Sequence, residues 1–175
     1  LKKESLSKKS KGTLLNNNPS IRAICLASKK ILIGTKNGEI FDIDKDGSMS
    51  IIVQGHGEGE LWGLACHPSK MECCTASDDK TVRIWSIESK NTFLISGRVF
   101  DKLARSCEYS PDGKVISVGF KDGTVKILDS TSLKDIETVN HRKQEISDMK
   151  FSPGTWLKFC KFYKLYSNKN YFPLK

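Results

Sequence analysis

A spacing of about 43 residues runs through this chain and restricts it to a repeated supersecondary unit. Asn37, Asp79 and Asp122 each open a turn and stand 42 and 43 residues apart. Pro68, Pro111 and Pro153 each close a β-rich run, at intervals of 43 and 42 residues. His56 and His141 are 85 residues apart, close to two periods. Repeats of this kind bury their apolar faces on their neighbours and work through surfaces rather than buried catalytic centres.

The clearest unit runs from Gly55 to Ile87. Its strand candidates are Leu61 to His67, Cys73 to Ser77 and Thr81 to Trp85, with the first ended by Pro68, which has no N–H to give to a ladder. The next unit repeats the plan. Ser110-Pro111-Asp112-Gly113 suits a type I turn, and Lys121-Asp122-Gly123 reads as a two-residue hairpin signal before Thr124 to Leu128. Ile31 to Gly34, Asn37-Gly38 and Glu39 to Asp44 give an earlier unit, and Asp46-Gly47 turns into Met49 to Val53. No helical period interrupts Ile21 to Gly154. The spacing therefore predicts an all-β chain with four short strands per repeat.

His56 after Gly55, Ser77-x-Asp79 and Trp85 six residues later resemble the WD-repeat signature, in which each repeat is one blade of a β-propeller. Gln54 to Ala65, Ser77 to Trp85, Thr35 to Ile40 and His141 to Asp148 resemble, more closely, the echinoderm microtubule-associated protein-like family. The resemblance implies a partial propeller of about three blades and a hydrogen-bonded network of His56, Thr75, Ser77, Asp79 and Trp85. In that network His56 meets Asp79, and Thr75 or Ser77 bridges to the Trp85 indole. Buried imidazole and indole groups need partners, so its role is structural. Trp85 is replaced by Ile43 and Leu128 in the other units, and spacing puts Val99 where His56 would recur.

Three units do not close a ring of four to eight blades. With Leu1 as first residue, the chain reads as a fragment that is expected to self-associate. Its organisation is a basic disordered segment (1–15), a propeller portion (16–154) and a divergent basic and aromatic tail (155–175). The net charge of +9 sits at the ends: residues 1–12 carry five lysines against Glu4, residues 155–175 carry five lysines and no acid, and the body between them is balanced. A neutral body argues against a specific nucleic-acid partner. Trp156, Phe159, Tyr163 and Tyr166 recur at three or four residues with lysines between them, as on an amphipathic helix. The broken repeat favours an unrelated ending instead, which does not form the next blade and leaves the run from Ile146 to Ser152 at an exposed edge or poorly paired. Ending the chain at Gly154 is then expected to reduce association.

Six cysteines show neither C-x-x-C nor zinc-ligand histidine spacing, so no metal is expected. Most lie in strand candidates, where thiols behave as small buried hydrophobes, and Cys73 and Cys74 should face opposite sides. With no secretory signal and no 18-residue apolar span, a reduced cytoplasmic setting follows. No phosphate loop, nucleophile elbow or His-Glu-x-x-His is present, Asp101 and Glu108 stand alone, and Asp78-Asp79 reads as a turn. No catalytic residue and no cofactor are expected. The resemblance implies a non-catalytic module on microtubules of the cytoskeleton, with tubulin or microtubule-linked proteins as partners; the alternative is a general WD-repeat scaffold or adaptor.

Overall fold

The computed structural model describes residues 20–27, 30–88, 93–140 and 143–151, together with the backbone of 156–160 and 171–173. Its elements are all strands: β1 (Ile21–Ala27), β2 (Lys30–Thr35), β3 (Ile40–Ile43), β4 (Met49–Val53), β5 (Leu61–Cys66), β6 (Glu72–Ser77), β7 (Thr81–Ser86), β8 (Phe93–Val99), β9 (Ala104–Tyr109), β10 (Val115–Phe120), β11 (Thr124–Asp129), β12 (Asp135–Asn140), β13 (Asp148–Phe151), β14 (Trp156–Cys160) and β15 (Tyr171–Pro173). Each set of four pairs antiparallel in chain order, giving three meanders, β1–β4, β5–β8 and β9–β12, and a three-stranded β13–β14–β15 sheet.

Strand periodicity decides how the sheets stack. On β6 and β7, Cys74 pairs with Ile84 and Ala76 with Val82, placing these four on one face. That face joins Phe100, Ala104, Cys107, Ile116, Val118, Phe120 and Leu128 in a continuous core between the second and third sheets. The other face of the third sheet sends Val125 and Ile127 against Ile146 and Met149. Strands β9, β10 and β11 of the third sheet are thus buried on both sides, while β12 is exposed. Fully burying one such aliphatic side chain is worth about 1.5–3 kcal/mol. At the strand starts the sheets approach closely enough to exclude a side chain, since a Cβ on Gly63 would lie 2.9 Å from Cys107 N and 2.9 Å from Ala76 Cβ. The first sheet meets the second through its β2–β3 turn, where Gly57 rests on the Asn37 backbone.

The three β2–β3-type turns share one geometry. Gly38, Lys80 and Gly123 each donate a backbone N–H to the residue three earlier, at 3.3, 3.2 and 3.1 Å, and each has positive φ, at 73°, 63° and 87°. Lys121 and Asp122 do not share the positive φ, so the Lys121-Asp122-Gly123 link is a three-residue connection with a left-handed final residue, not the two-residue hairpin its Asp-Gly pair suggested.

Residues after Gly154 differ from expectation. β13 pairs with β14 over four positions, Asp148 with Cys160 through Phe151 with Leu157, and β14 pairs with β15. The Trp156–Cys160 run is a strand rather than a helical turn, and β13 lies at the edge of its sheet but is paired along its length. Its sequence, Trp-Leu-Lys-Phe-Cys, is rich in residues that suit a pleated surface, and this outweighs the three-to-four spacing of the aromatics. The proposed 1–15 segment and His141 lie outside the described residues.

Candidate functional site

Two side-chain constellations carry the chemistry of the second sheet. The first lies on the face of β6 and β7 opposite the Cys74–Ile84 core, where Thr75 pairs with Arg83 and Cys73 with Trp85. Trp85 Nε1 donates to Thr75 Oγ1 at 2.7 Å. An indole N–H can only donate, so the hydroxyl hydrogen is free to reach His56 Nε2, 2.7 Å away. That assigns the proton to Nδ1, which donates to Asp79 Oδ2 at 2.8 Å. Ser77, the other candidate bridge, is used differently: its hydroxyl donates to Glu60 O and accepts the Asp79 N–H.

Asp79 accepts more than the imidazole. Arg83 Nη2 and the Gly57 N–H reach Oδ2 at 2.9 and 3.3 Å, while the Thr81 N–H and hydroxyl reach Oδ1 at 2.9 and 2.6 Å. Burial alone would raise this carboxyl; the hydrogen bonds from His56 and Thr81 outweigh it and hold Asp79 well below the usual carboxylate range. Arg83 is itself buried at 3 % exposure, which lowers its pKa against the opposing pull of Asp79. It spends Nε on Thr81 Oγ1, Nη1 on the Gly55 carbonyl and its planar face near the Trp85 ring. Thr81 and Arg83 were missed as network members. Their signal was the alternation Thr81, Arg83, Trp85, which places all three on one side of β7.

A hydroxyl, an imidazole and a carboxylate in line also describe a nucleophilic triad. Burial decides between the readings. Thr75 is 6 % exposed and its oxygen already holds the indole hydrogen, so an acyl carbon cannot come within reacting distance, about 3–3.5 Å. Glu108, one of the isolated acids, is engaged by Lys150 at 2.8 Å, and Asp101 lies exposed on the surface. Among the described residues no three of His, Cys, Asp and Glu are grouped to hold a metal.

The other meanders build the same corner with different parts. In the third, Lys102 Nζ lies 2.6 Å from Asp122 Oδ2 and donates to Thr124 Oγ1 at 2.9 Å, standing where His56 stands in the second. Val99, the match by spacing, is an exposed strand end. In the first, Thr35 donates to buried Glu39 at 3.0 Å.

The second constellation is at the strand starts. Half-exposed Trp62 donates its indole N–H to Asp78 Oδ2 at 3.0 Å. Arg105 at the start of β9 stacks 4.3 Å from the Trp62 ring centroid, pairs with Asp78 at 3.1 Å and lies 3.8 Å from Glu145. Two sheets and the approach to a third are joined there. Sequence reading treated Asp78 as a turn residue and did not join it to Trp62 or Arg105, which are 16 and 27 residues away in sequence.

Four-stranded meanders stacked face to face at a 43-residue period, with a His–Thr–Trp and Asp corner, define a WD-repeat β-propeller portion. The family model for the echinoderm microtubule-associated protein second beta-propeller matches residues 61–162, more than half of the chain. The chain belongs to that family. It is 34% identical to human echinoderm microtubule-associated protein-like 2 over 128 residues, covering 73% of this chain and 19% of the relative. Human echinoderm microtubule-associated protein-like 1 is 33% identical over 124 residues, 70% of this chain and 15% of the relative. The 77 kDa echinoderm microtubule-associated protein of Lytechinus variegatus is 32% identical over 140 residues, 77% and 20% respectively. The chain therefore spans about a fifth of the length of these relatives or less. The family match includes β14 and ends before β15.

Proposed function

We propose that the chain is a non-catalytic interaction module of a microtubule-associated WD-repeat protein, acting in the cytoplasm on the microtubule cytoskeleton. Family membership, with relatives that carry microtubule association in their names, supports this reading. In it, His56, Thr75, Ser77, Asp79 and Trp85 hold the blade together, and tubulin or a microtubule-linked protein binds elsewhere. The strand-start surface suits the second task, because an exposed aromatic held by an arginine and an aspartate is the chemistry of an interface anchor. Arg105 and Asp78 fix the Trp62 indole in advance, so little side-chain entropy is lost on binding.

Co-sedimentation with polymerised tubulin tests both parts, with a tubulin-free spin to subtract self-association. The folded chain is expected in the pellet at low salt, and Trp62→Ala should leave more of it in the supernatant. No pelleting by the folded chain overturns the microtubule reading in favour of a general scaffold. Equal pelleting by Trp62→Ala overturns only the choice of surface.

A further inference from the structure

Cys66 on β5 and Cys73 on β6 stand directly opposite one another. The turn between them is closed by the His67 N–H, which donates to the Glu72 carbonyl at 2.9 Å. Hydrogen-bonded and non-hydrogen-bonded pairs alternate along an antiparallel ladder, so the next pair, Cys66–Cys73, falls at a non-hydrogen-bonded position. Cα atoms there are about 4.5 Å apart, within the window of about 4.4–6.8 Å that a disulfide spans. Both are free thiols; Cys66 is exposed and Cys73 half-buried. β5 is an edge strand, so solvent reaches the pair from its open side. Cys74 is excluded from it by the pleat: it is buried on the opposite face, against Cys107.

We propose that Cys66 and Cys73 are a reversible redox pair, closing into a cross-strand disulfide by exchange with a low-molecular-weight disulfide such as oxidised glutathione. Cys66 attacks first, because it is exposed, whereas burial pushes the Cys73 thiol up. The Cys66 thiolate takes one sulfur of the glutathione disulfide, whose S–S bond breaks and releases one glutathione thiolate. Cys73 then gives its proton to water and attacks Cys66 Sγ, releasing the second glutathione thiolate. Two cysteine thiols lose two electrons, and one glutathione disulfide gains them to become two thiols after protonation. An exposed bond held at the short end of the permitted Cα range is of the labile kind, readily reduced again. Closed, it would pin the edge hairpin beside exposed Leu64.

Trypsin cuts after Lys70, between the two cysteines, so the bond is visible as a link between peptides 46–70 and 71–80. The full chain is treated with oxidised glutathione, alkylated, digested and read by fragment-ion mass spectrometry. The linked pair is expected, lost on reduction, absent in Cys66→Ser and retained in Cys74→Ser. In a mixture with isotopically heavy chain, the two peptides should be both light or both heavy. A glutathione adduct that stays on Cys66 without a linked pair overturns the proposal. So does a link placed at Cys74, or light–heavy pairs, which mark a bond between molecules. Cys66 is exposed, so its serine variant tests the chemistry without disturbing the core.

Discussion

Trp85→Phe keeps most of the aromatic volume and removes the one hydrogen that Thr75 Oγ1 accepts. The expected cost is about 1–3 kcal/mol in urea unfolding, from a buried acceptor left short of its donor. Thr75→Val removes the other partner, and the double variant should lose less than the two losses added, by at least about 0.5 kcal/mol. Simple additivity would mean the two groups do not act on each other. Asp79 supplies the pH dependence of the same corner. Its carboxyl is depressed in the folded chain, so its stabilisation is fully present above the unfolded value of about 3.9 and is lost as pH falls through the lower folded value. Asp79→Asn leaves buried Arg83 without its counter-charge and should cost about 3–5 kcal/mol near neutrality. The gap between variant and parent should narrow below pH of about 3.9. A gap unchanged down to pH of about 2 would show that the carboxylate is not depressed. The His56, Asp79 and Trp85 positions were legible because each is a distinctive residue type at a fixed offset. Thr81, Arg83 and Lys102 were not, because threonine, arginine and lysine in a strand or loop look like solvent-facing residues until the fold buries or pairs them.

At the element scale, strand positions followed from turn residues and alternation, while turn types did not. Lys121-Asp122-Gly123 and Asp78-Asp79-Lys80 look unlike as text, yet both end in one left-handed residue. What selects that geometry is the strand registers on either side of the local i to i+3 hydrogen bond, and those registers depend on pairing between whole strands. Lys80 holds a conformation that costs an L-residue about 1–2 kcal/mol and occupies the place of Gly38 and Gly123. Lys80→Gly should therefore raise the urea midpoint or leave it unchanged, even though glycine costs more chain entropy on folding. A lowered midpoint would show that the lysine side chain contributes more than its backbone costs. Gly63 predicts the reverse. Alanine there drives a Cβ into the Cys107 backbone, which cannot yield as a flexible side chain does, and about 1–3 kcal/mol should be lost. Near-parent stability of Gly63→Ala would mean β5 and β9 can move apart freely. The tail differed for a related reason: its missing turn signal argued against a next blade, whereas the pairing of β14 with β13 depends on register between strands and has no local signal.

At the scale of the whole chain, burial is uneven. Strands β9, β10 and β11 are enclosed on both faces, whereas Ile24 and Leu26 on β1 and Leu61 and Leu64 on β5 remain exposed, the two on β1 at 67% and 75%. Repeat units draw much of their stability from neighbours, and uncovered apolar strands at sheet edges are sites of association. The isolated chain is therefore expected to self-associate, with scattering mass rising across a dilution series from low to high concentration. The pairing of β13 with β14 changes the effect expected from truncation. Ending the chain at Gly154 removes the partner that satisfies the β13 backbone and leaves β1 and β5 as exposed as before. Truncation should then increase association, or leave it unchanged, rather than relieve it. Light scattering of the two chains at matched concentration separates these outcomes. A truncated chain that stays monomeric where the parent associates would show that the residues after Gly154 drive the process, and that β1 and β5 are not the sticky surfaces proposed.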